Sequence, residues 1–277
     1  MKNYLILISV IFWSFTGFAQ THFTSAHEGT NAEAYTTVWV FSAKIGPVNL
    51  QAGDEIAIFD GNICVGTKTL TGEITTQTSI KAAKADAGTS NGYSAGHTIS
   101  IKIWDSSASK EYVATVAFRP TSPVTSYVDN ESAFVDLTVI VPLTINLTAQ
   151  NKEYDGTDAA TLGYTVTGGT INGNVVVTTS NGKFNSKIVG TGKAVIGDIT
   201  VTGSDAASYS FTLVKSTTAN VTAKSITVIS AAAQNKIYDG TTVAQITGAT
   251  LSGVIGSDVV TLNNKATGTF AQTNIGT

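Results

Sequence analysis

The sequence predicts an all-β protein, with one N-terminal β-sandwich followed by tandem β-sandwich repeats, the last of them truncated. Three observations predict it. Proline is rare, with 4 among 277 residues, while threonine, serine, glycine, valine and alanine dominate, a composition suited to strands joined by tight polar turns. Short apolar runs alternate with polar positions, the period of a half-buried strand. A long segment of the second half also recurs after 238 − 154 = 84 residues, the mark of a duplicated structural unit.

Residues 1–19 stand apart. Lys2 gives a positive start, residues 4–18 are almost wholly apolar, and Gly17-Phe18-Ala19 ends in small residues before Gln20. This three-part layout reads as a secretory signal peptide. The apolar stretch falls short of the roughly 20 residues a spanning helix needs. The expectation is a secreted or outer-surface protein without membrane insertion in this segment. With a net charge of −3 there is no electrostatic footprint for nucleic acid. The lone Cys64 excludes an intrachain disulfide, and its apolar setting reads as an inert buried thiol.

Residues 20–142 form the first module. Expected strands are 36–41, 55–59, 63–69, 79–83, 98–104, 112–118 and 134–141, and Phe59-Asp60-Gly61-Asn62 is a hairpin signal between two apolar runs. Thr98-Ile99-Ser100-Ile101-Lys102-Ile103-Trp104 alternates cleanly, so one face is buried and the other wet. The stretch from Gly53 to Gly66, with Gly92-Tyr93, Gly96-His97 and Ile103-Trp104-Asp105, resembles a module found near the start of many secreted proteins of bacteria with type IX export. That resemblance implies surface display.

From residue 143 the repeat begins. Ala149-Gln150-Asn151-Lys152-Glu153-Tyr154-Asp155-Gly156-Thr157 returns as Ala233-Gln234-Asn235-Lys236-Ile237-Tyr238-Asp239-Gly240-Thr241. Gly182-Lys183-Phe184 and Ile188-Val189-Gly190-Thr191 likewise return as Gly268-Thr269-Phe270 and Asn274-Ile275-Gly276-Thr277. One unit, residues 143–224, reads as seven strands at 143–148, 159–165, 174–178, 183–186, 193–201, 209–214 and 219–222. Asp155-Gly156, Gly168-Gly169, Asn172-Gly173 and Asn181-Gly182 mark the turns. That strand count suits an immunoglobulin-like sandwich. Asp205-Ala206-Ala207-Ser208-Tyr209 has the spacing of a tyrosine corner, in which Tyr209 bonds back to the preceding turn, and Phe211 plugs the place of a disulfide. Residues 225–277 are expected to be a second, incomplete unit of a longer protein, because its last strands have no counterpart before Thr277.

The Tyr-Asp-Gly-Thr motif at Tyr154, Asp155 and Gly156, and again at Tyr238, Asp239 and Gly240, together with the later Gly-Thr-Phe and Asp-Ala-Ala-Ser-Tyr, resembles the YDG-type repeat domains of bacterial surface adhesins. The resemblance implies a stalk or adhesive array and brings no catalytic residues.

Asp54, Glu55, Asp60, Asn62 and Asp105 are the richest polar set. Asp54, Asp60, Asn62 and Asp105 are candidate calcium ligands, since calcium takes oxygen ligands from loops; Asp and Asn beside Gly also serve plain turns. Asp155 and Asp158 carry the same two readings between repeats. Trp39, Tyr93, Trp104 or Tyr127 could offer a flat face to a sugar, although strands bury aromatic rings routinely, and Trp39 and Trp104 are expected in the core. His22, His27 and His97 make no zinc pattern, and His22 and His27 fall in an expected mobile terminus. Lys152 and Lys236 raise the idea of an internal isopeptide bond. No carboxylate pair is fixed for glycoside hydrolysis. The expected function is non-enzymatic: an adhesin-like protein whose repeats present binding regions for a surface glycan or protein. The alternative is the carbohydrate-binding front of a larger glycan-degrading protein.

Overall fold

The computed structural model describes residues 21–27 and 34–274. The expected signal peptide, and the matched residues Ile275, Gly276 and Thr277, lie outside the described residues. The chain is all-β, with one 3-10 turn at Ala206–Ser208 and no α-helix among the described residues. It divides into two compact units, one made of residues up to Val141 with the short segments Asn172–Asn174 and Asp205–Ser210, the other of the remainder.

The first unit contains β1 (Tyr35–Ile45), β2 (Val48–Asn49), β3 (Glu55–Asp60), β4 (Ile63–Thr69), β5 (Thr78–Ala83), β6 (Ser100–Asp105), β7 (Lys110–Val113), β8 (Thr115–Phe118) and β9 (Ser132–Val139). One sheet runs β2-β1-β9-β8 with β5 also on β1; the other runs β4-β3-β6-β7. Alternation decides which side of each strand is dry. Val38 and Val40 of β1, Val135 and Leu137 of β9, and Ile101 and Ile103 of β6 are wholly buried, while their neighbours Trp39, Phe134 and Lys102 are only half-buried. The single strand expected at 112–118 is split. Ala114 donates its N–H to Ile101 O at 2.9 Å, and there the chain leaves one sheet for the other.

The β3 strand departs from simple alternation, with Glu55 to Phe59 all buried. Residues 21–27, expected to be mobile, explain it. Phe23 packs on Ala57 and Phe59, and its N–H and that of His22 donate to the buried Glu55 carboxylate at 2.9 and 2.8 Å. The His22 ring stacks on Trp104 at 3.7 Å, and Ala26 N–H reaches Cys64 O at 2.8 Å. This strap gives β3 a second dry face. It also supplies Glu55 with partners for a carboxylate that burial alone would penalise.

In the second unit, residues up to 224 form β10 (Val141–Ala149), β11 (Lys152–Glu153), β12 (Leu162–Thr167), β13 (Val176–Phe184), β14 (Gly190–Thr202), β15 (Tyr209–Val214) and β16 (Ser216–Thr222). They make two sheets, β12-β10-β15 and β11-β16-β14-β13. Ile145, Leu147 and Ile199 gather with Phe211 and Leu213; Phe184, Val195, Ala219 and Val221 gather beside them. Strand number matches expectation, but the divisions differ. Asn181-Gly182 is a bulge inside β13 and not a hairpin: Asn181 takes φ 55°, the pairing with β14 slips between Ser180 and Lys183, and the Asn181 amide donates to Asp198 at 2.8 Å. One extra residue is absorbed there without ending the strand.

Residues 225–274 hold β17 (Thr227–Ile229), β18 (Ala232–Ala233), β19 (Val243–Thr247), β20 (Thr250–Ser252) and β21 (Thr267–Thr269). They repeat the earlier registration. Ile145 faces Val166 between β10 and β12, and Ile229 faces Thr250 between β17 and β20; 145 + 84 = 229 and 166 + 84 = 250. The bond Phe184 N–H to Asp158 O at 2.8 Å likewise returns as Phe270 N–H to Thr242 O at 2.7 Å. The duplication is therefore one of hydrogen-bond pattern as well as of letters.

The strap yields a test. Phe23→Ala should destabilise the first unit by roughly 3 kcal/mol, the scale for losing a buried aromatic ring. His22→Ala, which removes a partly exposed stack on Trp104 and an exposed contact with Glu111, should cost less than about 1 kcal/mol. Denaturant unfolding followed by tryptophan fluorescence measures both.

Candidate functional site

The recurrent motif is a turn closed by an ammonium group. In the first copy Lys152 Nζ lies 2.7 Å from Asp155 Oδ1. It also donates to Thr157 O at 2.9 Å, Thr157 Oγ1 at 3.1 Å and Ala159 O at 3.0 Å. Asp155 Oδ1 in turn accepts the N–H and hydroxyl of Thr157, both at 2.9 Å. Between them Gly156 sits at φ +80°, where a side chain would be strained. The second copy reproduces these contacts except the one to Ala159 O. Lys236 Nζ lies 2.7 Å from Asp239 Oδ1 and donates to Thr241 O and Oγ1 at 2.9 and 2.8 Å. Asp239 accepts both Thr241 groups at 2.9 Å, and Gly240 has φ +75°.

Each ammonium also stands over an aromatic ring, Lys152 at 5.8 Å from Phe184 and Lys236 at 5.9 Å from Phe270. The lysine beside each aspartate, aided by the Thr N–H and hydroxyl, lowers both carboxyls from 3.8 to about 2. Each lysine is engaged by the acceptors of its own turn. The structure thus gives Lys152 and Lys236 ion pairs with turn carboxylates in place of the isopeptide chemistry raised from sequence.

The motif tyrosines differ between copies. The Tyr154 ring packs against the cluster of Phe184, Val195, Ala219 and Val221, and its N–H donates to Thr222 O at 2.8 Å. Its hydroxyl projects to the 253–260 segment of the second copy and donates to Asp258 Oδ2 at 2.7 Å. That carboxylate raises the phenol above its ordinary value. A cavity of about 370 Å³ adjoins this bond, lined by Tyr154, Ile188, Val189, Ile226, Ile255 and Asp258 among others. Tyr238, by contrast, is 62% exposed. Asp258 was missed by motif reading because its counterpart in the first copy, Asn174, lies outside the matched string.

The proposed tyrosine corner takes a different form. Tyr209 is buried, and its hydroxyl bonds to the backbone of Asn172. It accepts Asn172 N–H at 2.7 Å and donates to Asn172 O at 3.1 Å. Asp205 accepts Asn174 N–H at 2.6 Å. Both residues brace the loop between β12 and β13 through the backbone of Asn172 and Asn174, Tyr209 following the 3-10 turn directly. Phe211 packs beside Ile145, Leu147 and Ile199.

The four calcium candidates are not brought together. Asp54 and Asp60 bracket β3, whose six residues span about 20 Å. Asp54 accepts Gln51 N–H at 2.8 Å and both Ser106 groups at 2.9 Å. Asp105 accepts Ser107 N–H at 3.0 Å, its hydroxyl at 2.7 Å and Ala108 N–H at 2.9 Å. Asp60 accepts Ser94 N–H at 2.8 Å and lies 2.9 Å from His97 Nδ1; Asn62 is exposed in the β3–β4 turn. Among the described residues no group of three or more His, Cys, Asp or Glu side chains is placed to hold a metal ion.

The aromatic assignments invert. Tyr93 and Tyr127 are fully buried and stacked at 4.6 Å, with Tyr127 donating to Phe59 O at 2.7 Å. Trp39 and Trp104, expected inside, sit at the half-buried positions of their strands. Cys64 packs beside Phe23 and Phe59, and burial pushes its thiol above the ordinary value, which suppresses the reactive thiolate.

A pH test follows from the depressed carboxyls. Each is lower in the folded state, so its stabilisation is full above pH 3.8 and is lost as pH falls towards 2. Repeat stability should hold near neutrality and decline across that window. The Asp155→Asn, Asp239→Asn double variant should start lower and lose that part of the decline, as followed by circular dichroism melts.

No curated protein and no solved structure matches the chain. Residues 139–219 and 222–277 each match the family model described as the YDG domain. The second half of this chain is thus similar to YDG domains at two successive places, and the lysine-clasped turn is what the shared motif builds in both.

Proposed function

We propose that the chain is a non-enzymatic, adhesin-like protein of the cell surface or extracellular medium, whose YDG domains form a stalk that presents binding regions. The single observation that supports the reading most is the use of the motif. In both copies its charged and hydroxyl groups are spent closing the same turn, and such repetition adds length unit by unit. Residues 1–19 support export, and the first module's likeness to those of type IX-exported proteins supports display at the surface. The ligand on this reading is a surface glycan or protein held by the first unit or by regions outside the described residues.

A second reading is favoured by one observation. The outer positions of β1 and β9 carry Trp39, Phe41 and Phe134, with Phe41 and Phe134 edge to face at 5.8 Å. Arg119 lies 4.0 Å over Phe41 and pairs with Asp136 at 2.8 and 3.0 Å. Aromatic faces beside planar hydrogen-bonding groups suit a sugar ring, which supports the carbohydrate-binding front of a larger glycan-degrading protein.

Two measurements separate the readings. Small-angle scattering of the chain lacking residues 1–19 should give an elongated particle for the stalk, and a compact globule would count against it. A glycan array probed with the same chain should show binding on the second reading, weakened about tenfold or more by Trp39→Ala; a blank array would remove that reading.

A further inference from the structure

We propose that the tyrosine and glycine of the YDG motif form the docking face for the following YDG repeat, and that the partner they fit is a loop carrying a carboxylate at the position of Asp258. This deepens the stalk reading and rests on it. The argument begins with the division of labour inside the motif. Lys152, Asp155 and Thr157 satisfy one another within the turn, which leaves the Tyr154 side chain without a role in closing it. Tyr154 has its ring fixed by the core of its own repeat, and its backbone N–H is held by Thr222 of β16. A tyrosine so anchored presents a hydroxyl at a defined place with little rotamer entropy left to lose.

That hydroxyl meets Asp258 Oδ2 at 2.7 Å, in a loop shaped by the turn bond of Asp258 N–H to Ile255 O at 3.0 Å. Gly156 faces the same loop: a Cβ there would come within 2.9 Å of Ile255 Cγ2, whereas one on Gly240 would meet nothing within 4 Å. Ile188, Val189, Ile226 and Ile255 line the adjoining cavity, so the bond sits against apolar surface, where a charge-assisted hydrogen bond is stronger than in open water. The two copies of the motif share the Lys–Asp–Thr bonds of the clasp, yet Tyr154 is half-buried and Tyr238 is 62% exposed. Among the described residues only the first copy has such a loop against it.

The experiment is amide hydrogen exchange on the full described chain, comparing Tyr154→Phe, Asp258→Asn and the double variant, with Tyr238→Phe as the same chemical change at the exposed copy. Either of the first two should speed exchange across residues 253–260 by roughly tenfold, the scale of one charge-assisted bond, and the double variant should add nothing further. Tyr238→Phe should leave those amides unchanged. Effects confined to residues 143–224, or single effects that add in the double variant, overturn the docking role. Either result is distinguishable from failure of the stalk reading itself, which a compact particle in scattering would show whatever the exchange pattern.

Discussion

The ammonium of Lys152, and its double at Lys236, is the pin on which the geometry of each repeat's turn depends. A sharp turn at a positive-φ glycine directs several backbone and carboxylate oxygens to one side of the chain. Left unpaired so close to apolar rings, those acceptors would oppose packing. The lysine gathers them: the aspartate, the threonine carbonyl and hydroxyl, and in the first copy Ala159 O as well. Its stem passes near Phe184 or Phe270, so one long side chain serves both the polar turn and the core edge. With the turn fixed, Lys152–Glu153 can pair with β16, and the tyrosine emerges where its ring reaches the core.

This matters because no intrachain disulfide can hold the sheets together. The chain has one cysteine. Phe211 packs among Ile145, Leu147 and Ile199. The polar contacts then supply registration more than energy. Tyr209 and Asp205 hold the loop before β13 through backbone groups of Asn172 and Asn174. In the first unit Glu55 performs the matching task by seating the 21–27 strap. In each case a buried or half-buried oxygen finds backbone N–H donors, which sets strand position without a cross-link.

Much of this was legible in the sequence. Alternation in Thr98 to Trp104 and Tyr209 to Val214 located strands correctly, and the 84-residue offset located the duplication. What failed did so for physical reasons. A Gly-containing turn signal cannot distinguish a hairpin from a bulge, which is why Asn181-Gly182 was misassigned. Alternation gives the dry face only when the phase is known, so Trp39 and Trp104 were placed inside while Tyr93 and Tyr127, from irregular segments, took the core. Acidic residues near glycines looked like a cation site because one-dimensional proximity hides the length of β3 between Asp54 and Asp60. The strap and Asp258 were invisible because their partners lie 32 and 104 residues away.

The central claim is that the YDG motif is a structural clasp, built alike in both domains. Carbon-detected NMR titration of the side-chain carboxyls of Asp155 and Asp239 tests it most directly. The clasp predicts that both titrate together at about 2. An ordinary value near 3.8 for either aspartate, with the lysine left in place, would contradict it.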